Sequence, residues 1–236
     1  FLGGYPVGAQ AVSTAYRRGQ LKPEEAQRLL AFCNNPGPAF LFGMVGSLFP
    51  DKASPWLLWG ILLLSSMAVA KLIPAVQSEV SQPISPTSGD RILISAIKAM
   101  TLVCAWVILL RVVITFCSRW FLWILPVPVA VLFMGFLELS NGCIALASVG
   151  QASLQFVMCA CMLAFGGVCV TMQTVSVTEG LSKKQYFLGK GLQTVFSLLL
   201  SICAVHGKWM LFCIFAMSVI IFPGKIKKAV AFRGKL

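Results

Sequence analysis

Hydrophobic residues fill this chain in long blocks, and polar residues are confined to narrow gaps between them. Residues 1–16 and 29–50 are two such blocks, flanking Arg17-Arg18-Gly-Gln-Leu-Lys22-Pro-Glu-Glu-Ala-Gln-Arg28. The second block has no charge over 22 positions, enough helix to span about 30 Å of hydrocarbon. Residues 56–76 read as an uninterrupted transmembrane helix, with Trp56 and Trp59 suited to an interface and Lys71 able to snorkel at the far end. A polar, Pro/Ser-rich linker covers 77–91. Further apolar blocks occupy 92–118, 120–137, 139–178, 191–207 and 209–222. Pro126 and Pro128 predict a kink in 120–137. The 40 uncharged residues 139–178 would make a helix of about 60 Å, so the chain must double back there. Bends are available at Gly150-Gln151 or Gly166-Gly167. Lys22-Pro23-Glu24-Glu25 reads as a helix start, with 22–32 a short amphipathic helix at the interface. The pattern predicts an all-α polytopic membrane protein of about seven to eight transmembrane or re-entrant helices.

Several blocks are interrupted. Gly3-Gly4-Tyr5-Pro6-Val7-Gly8 breaks the first, and Asn34-Asn35-Pro36-Gly37-Pro38 breaks the second. Such breaks free backbone N–H and C=O groups, which in a bilayer must meet protein, water or a ligand. Paired broken segments point to a transporter's binding site; the plainer reading of each is a kinked packing helix. An internal echo strengthens the first reading. Gly3-Gly4-x-x-Val7-x-x-Gln10-x-Val12-Ser13 recurs as Gly166-Gly167-x-x-Val170-x-x-Gln173-x-Val175-Ser176, and a basic loop follows each copy.

Composition narrows the class. The chain of 236 residues is 58% hydrophobic and 11% charged, with a mean hydropathy of +0.87, against about 25% charged in soluble domains. Its net charge of +12 sits in short loops and the tail, which favours an anionic membrane surface over nucleic acid as partner. If 139–178 crosses twice, Arg17, Arg18, Lys22, Arg28, Lys71, Arg91, Lys183, Lys184, Lys190 and the tail share the cytoplasmic face. Only Lys52, Arg111, Arg119 and Lys208 then lie outside. That charge bias puts both echo loops on one face, whereas inverted repeats would put them on opposite faces. The chain opens inside an apolar block with no charged leader, which reads as a piece lacking its upstream part.

Candidate chemistry is sparse. One histidine and no CxxC make a metal site improbable, and the nine cysteines read as small apolar side chains. No nucleotide loop, protease or hydrolase motif occurs, and acid–base groups are too few for an enzyme. Glu138 stands out because Ser140, Asn141 and Gly142 follow it; it reads as a solute or cation contact, or else as a helix-end anchor at the interface. Lys98 and Arg111 read as cations snorkelling from a span. The amides Gln10, Asn34, Asn35, Asn141, Gln151, Gln155, Gln173 and Gln193 either glue helices together or line a polar cavity. No cofactor is expected.

Phe1-Leu-Gly-Gly-Tyr-Pro-Val-Gly-Ala, Glu24-Glu25-Ala26-x-Arg28-Leu-Leu and Phe32-Cys-Asn-Asn-Pro-Gly-Pro resemble the YlbJ-type sporulation integral membrane proteins, which carry a nucleoside-recognition or Gate domain. The resemblance is specific over residues 1–45, and the Glu138 and Gly166-Gly167 segments look similar to the family's second half. It implies a multi-pass protein of the bacterial cell membrane, needed for spore cortex formation, while the cytoplasmic side of the tail is expected from the charge count. It implies a Gate-like segment at 1–50, helices over 51–137, a second Gate-like half at 138–205, and a last helix with basic tail at 206–236. The expected partners are membrane lipid and a small polar solute or nucleoside. Gly3, Gly4, Tyr5, Pro6, Gly8, Asn34, Asn35, Pro36 and Gly37 are the signature positions carried over. Gln10, Glu138, Ser140, Asn141, Gly166, Gly167 and Gln173 join them as candidate contacts. The function expected is transport or gating of that solute, with a structural or assembly protein as the alternative.

Overall fold

The computed structural model describes residues 3–76, 89–221 and 226–227. Apart from a two-residue parallel pairing of 75–76 with 226–227, the elements are helical. Among the described residues ten α-helices follow in order: α1 (Val7–Arg17), α2 (Pro23–Cys33), α3 (Ala53–Leu72), α4 (Gly89–Trp120), α5 (Val127–Leu137), α6 (Leu139–Ala145), α7 (Ala152–Phe165), α8 (Gly167–Val177), α9 (Lys184–Val205) and α10 (Trp209–Ile221). Four stretches are long and apolar enough to cross a membrane: Ala53–Leu72, Ile97–Trp120, Ala152–Val177 and Lys184–Val205. Four shorter apolar helices accompany them. This is the all-α, multi-span class that the sequence predicts. The centre is Ala152–Val177, 61% of whose apolar stretch is buried inside the protein; Ile97–Trp120 is 11% buried and peripheral.

Local chemistry fixes the helix ends. Glu25 accepts a hydrogen bond from the Lys22 N–H (3.0 Å), closing the first turn of α2 behind Pro23. Asp51 accepts from the Ala53 and Ser54 N–H groups at 2.9 and 2.6 Å, satisfying two orphan donors at the start of α3. At the other end of α3, Arg28 donates to the carbonyls of Ala70 (2.7 Å) and Ile73 (2.9 Å), placing a cation where the helix dipole favours one.

The breaks divide the bundle into half-length pieces. Helices α1, α2, α5 and α8 have 11 residues each, about 16 Å, or half of a 30 Å hydrocarbon layer. Between α2 and α3, residues Asn34–Gly37 leave the helix, and the chain resumes through Pro38 as a π-helical turn, Ala39–Met44, and a 3-10 turn, Val45–Leu48. Between α7 and α8, Gly166 and Gly167 both take left-handed backbone (φ 86° and 83°), a conformation open to glycine and costly for other residues. Helices α5 and α6 fold back on each other about Glu138. A Cβ on Gly142 would sit 2.2 Å from the Gly135 Cα, so only glycines permit this hairpin.

Some expectations change. The short helix expected over 22–32 is present as α2, and it buries Ala26, Leu30 and Ala31 in the contacts it makes with α1, α3 and α9. Pro126 and Pro128 do not kink a span. They begin α5, at the N-cap and in the first turn, where a missing N–H is harmless. The helices over 139–178 are interrupted at both Gly150-Gln151 and Gly166-Gly167, but Ala152–Val177 runs as one candidate span across the second interruption. The linker 77–91 lies outside the described residues as far as 88, and Gly89 begins α4. Most of the basic tail, with the cytoplasmic placement expected of it, lies outside them too.

The two echoed segments lie side by side. Helix α8 starts at Gly167 and α1 at Val7, three residues after Gly4; the two pack together, and the Arg17 Nη2 donates to the Val177 carbonyl at 3.1 Å. Ala9, Val12, Ala26, Leu30, Leu181 and Tyr186 form one apolar cluster beneath both following loops. The two basic loops therefore occupy the same end of the bundle, as the charge pattern requires. The echo then stops: α2 breaks at Asn34, whereas α9 runs unbroken through Gly189-Lys190-Gly191.

Candidate functional site

The broken ends meet around a cavity of about 260 Å³. Its walls include Gly3, Gly4, Tyr5 and Gly37 from the first two breaks, Glu138 and Ser140 from the α5–α6 hairpin, and Gln173 from α8. Val103 and Val107 of the peripheral α4 complete it. Gly4 and Gly37 touch backbone to backbone: a Cβ on Gly4 would lie 3.1 Å from the Gly37 N. Glycine here lets two unwound segments approach and present peptide groups instead of side chains.

Glu138 is 3% exposed. Its carboxylate accepts from the Ser140 N–H (3.0 Å), the Asn141 N–H (2.8 Å) and the Asn141 side-chain amide (2.6 Å). It is thus the N-cap of α6 at the tip of an internal hairpin, rather than a helix-end anchor at an interface. Asn141 in turn accepts from Arg111, an exposed residue of α4. Gln173 is buried, and the one hydrogen bond recorded for its side chain runs from Nε2 to the Cys169 sulfur at 3.2 Å, a weak acceptor.

Other predicted residues are placed elsewhere. Gly8 packs against the Cys33 carbonyl, where a Cβ would come within 2.5 Å, and Pro6 and Pro36 are buried without lining the cavity. Gly166 abuts the Tyr5 ring, Tyr5 donates to the Leu163 carbonyl (3.0 Å), and Gly167 packs on the Gly135 carbonyl. Asn34 donates to the Thr174 hydroxyl at 2.7 Å, tying the second break to α8. Gln10 faces a separate cleft of about 720 Å³ lined also by Arg17, Arg18, Lys98, Thr14 and Ser176, with Ile94 and Leu102 as an apolar wall.

Asn35 leads to a second polar centre, whose Asn35, Lys190 and Gln193 do not line the cavity. Its Oδ1 accepts from the Gln193 Nε2 (2.7 Å) and from the ammonium of Lys190 (3.3 Å); its Nδ2 donates to the Phe32 carbonyl (2.6 Å). Lys190 also donates to the Ala164 carbonyl (3.2 Å) and to the Gln193 Oε1 (3.4 Å), and lies 5.4 Å from the Tyr5 ring centroid. Lys190 is 2% exposed. The charge pattern groups it with the cytoplasmic-face cations; it is instead an interior residue of α9. Its signal was its position, since Lys190 and Gln193 stand three apart and share a helix face.

All nine cysteines are unpaired, and the described residues contain no group of three or more His, Cys, Asp or Glu placed to hold a metal ion. Compared with protein-family models, curated proteins and solved structures, the chain matches none.

Proposed function

We propose that this protein carries or gates a small polar solute or ion across a membrane, through the cavity at which its broken helices meet. The carrying observation is the convergence of Gly3-Gly4, Gly37, Glu138-Ser140 and Gln173 on one space. Helices of 11 residues put those ends near mid-depth, where transporters with discontinuous helices bind their solutes. In this reading α2 with 39–48, then α3, α4, α7–α8, α9 and α10 each cross once. Helices α5 and α6 re-enter from the face opposite the basic loops, and α1 is the inner half of a span. A volume of about 260 Å³ falls below the ~300–1,000 Å³ usual for drug-sized ligands. It favours an ion or very small solute over a nucleoside. The basic cleft of Arg17, Arg18 and Lys98 would seat an anionic lipid headgroup. The likeness to the sporulation Gate proteins supports a role in the membrane of a spore-forming bacterium.

Uptake by proteoliposomes containing the full chain tests this, with a panel of monovalent ions, small amines and amides, and nucleosides. Uptake of one class, reduced by Gln173→Ala and Glu138→Gln while both variants remain folded, is the expected result. Absence of uptake for every class would leave the structural reading. That reading has its own support: Asn34–Thr174, Asn35–Gln193 and Ser65–Ser197 pair polar groups between helices, as interhelical glue does.

A further inference from the structure

Lys190 poses a problem that the cavity does not explain. An ammonium has three N–H donors and no acceptor, and removing it from water without a counter-charge is costly. Here three oxygens receive it, the Ala164 carbonyl, Asn35 Oδ1 and Gln193 Oε1, all from buried residues. The Tyr5 ring lies at 5.4 Å, within cation–π range. None of these groups is an acid. A cage of neutral oxygens with an aromatic wall suits a weakly hydrated monovalent cation; a divalent ion calls for carboxylates.

The break geometry explains why the oxygens are available. Ala164 sits two residues before the Gly166-Gly167 turn, where the ladder of α7 stops and its last carbonyls have no partner within the helix. Asn35 lies in the unwound stretch after α2, and its amide is held by the Phe32 carbonyl. Gln193, one turn along α9 from Lys190, also donates to Asn35 Oδ1, which fixes both amide orientations. The cage thus joins two breaks to the unbroken helix that crosses them.

We infer that the Ala164, Asn35 and Gln193 oxygens form a monovalent-cation site whose occupant is the tethered ammonium of Lys190. The chain supplies its own cation at the junction of its broken helices and needs no sodium or potassium ion there. The site does not depend on the cavity carrying a solute.

The test uses the full chain purified in mild detergent. Lys190→Ala is melted in choline chloride and in equal concentrations of sodium, potassium, ammonium and methylammonium chloride. In choline the variant is expected to melt about 10 °C below the native chain, because three buried oxygens lose the donor they share. At least one small cation should restore about half of that loss, saturably, while shifting the native chain by no more than about 1 °C. A variant that melts within about 2 °C of the native chain, or a loss that no small cation reduces, overturns the site. If Lys190→Ala does not fold in any salt, Gln193→Glu decides. A charged Lys190 gives the new carboxylate a partner, and the melting temperature holds or rises. A fall of about 10 °C instead means no cation sits there, and the proposal fails.

Discussion

Two polar centres lie on either side of Tyr5, and they use the same residue types to opposite ends. At the Lys190 centre, Asn35, Gln193 and the ammonium bond to one another, and the space is filled. At the cavity, Gln173 bonds only to a thiol, glycines leave peptide edges bare, and about 260 Å³ stands open. The first arrangement binds helices together; the second leaves polar groups turned towards space. An amide in a membrane segment is therefore neither glue nor lining by nature. Its neighbours decide: side chains that reach it make it glue, and glycines that withdraw make it lining.

The sharpest way to break this contrast is to make one substitution at both centres. Gln193→Leu leaves Lys190 and Asn35 short of a partner in a buried site. At roughly 1–3 kcal/mol for an unsatisfied buried group and about 2–4 °C per kcal/mol for a chain of this size, it should lower the melting temperature by about 6 °C. Gln173→Leu removes one weak bond and should leave melting within about 1 °C, while abolishing solute binding at the cavity. Equal destabilisation by the two, read by thermal melts in detergent, would erase the distinction.

Glu138→Gln sharpens it from the cavity side. The carboxylate caps α6 with two oxygens, and Gln offers only one acceptor. A lost cap contributes about 1 kcal/mol, so a fall of about 3 °C is expected. Uptake should drop at least about tenfold if the negative charge meets the solute, since one such contact amounts to about 1.4 kcal/mol. A variant that melts lower and transports normally would reduce Glu138 to a cap.

How much of this was legible beforehand follows from what each feature requires. The spans were readable because hydrophobic length is written in consecutive residues. The breaks at Gly3–Pro6, Asn34–Pro38 and Gly166-Gly167 were readable because Gly and Pro mark them locally. Several of the predicted residues, Gly3, Gly4, Tyr5, Gly37, Glu138, Ser140 and Gln173, do meet at one cavity. Gln10 does not, although the echo pairs it with Gln173; equal spacing puts two residues at matching helix positions, but α1 and α8 turn different faces to their neighbours. The α5–α6 hairpin was hidden because its signal, Gly135 facing Gly142, has no meaning until the two helices are known to touch. Lys190 was misplaced because a Lys flanked by glycines near other basic residues looks like a loop, and two of its three oxygen partners are Asn35, 155 positions away in sequence, and the Ala164 main-chain carbonyl.

The smallest effect concerns the cleft at the basic-loop end. Arg18 and Lys98 are exposed, Arg17 stands beside them, and Ile94 and Leu102 supply an apolar wall. Cations over an apolar wall match a phosphate headgroup with its acyl chain. Because Arg18 and Lys98 are exposed, their loss should barely touch the fold: Arg18→Gln with Lys98→Gln should melt within about 1 °C of the native chain. Near an anionic surface each such charge contributes about 1 kcal/mol. Affinity for phosphatidylglycerol in mixed micelles should therefore fall roughly thirtyfold, while affinity for phosphatidylcholine stays level. The salt response separates charge from shape. The native chain should lose its preference for the anionic lipid as ionic strength rises, because exposed charges are screened within about 10 Å at 0.1 M, and the double variant should show little such dependence. A preference that survives both the substitutions and high salt would place lipid recognition elsewhere on the protein and leave the cleft an ordinary groove between α4 and the paired helices α1 and α8.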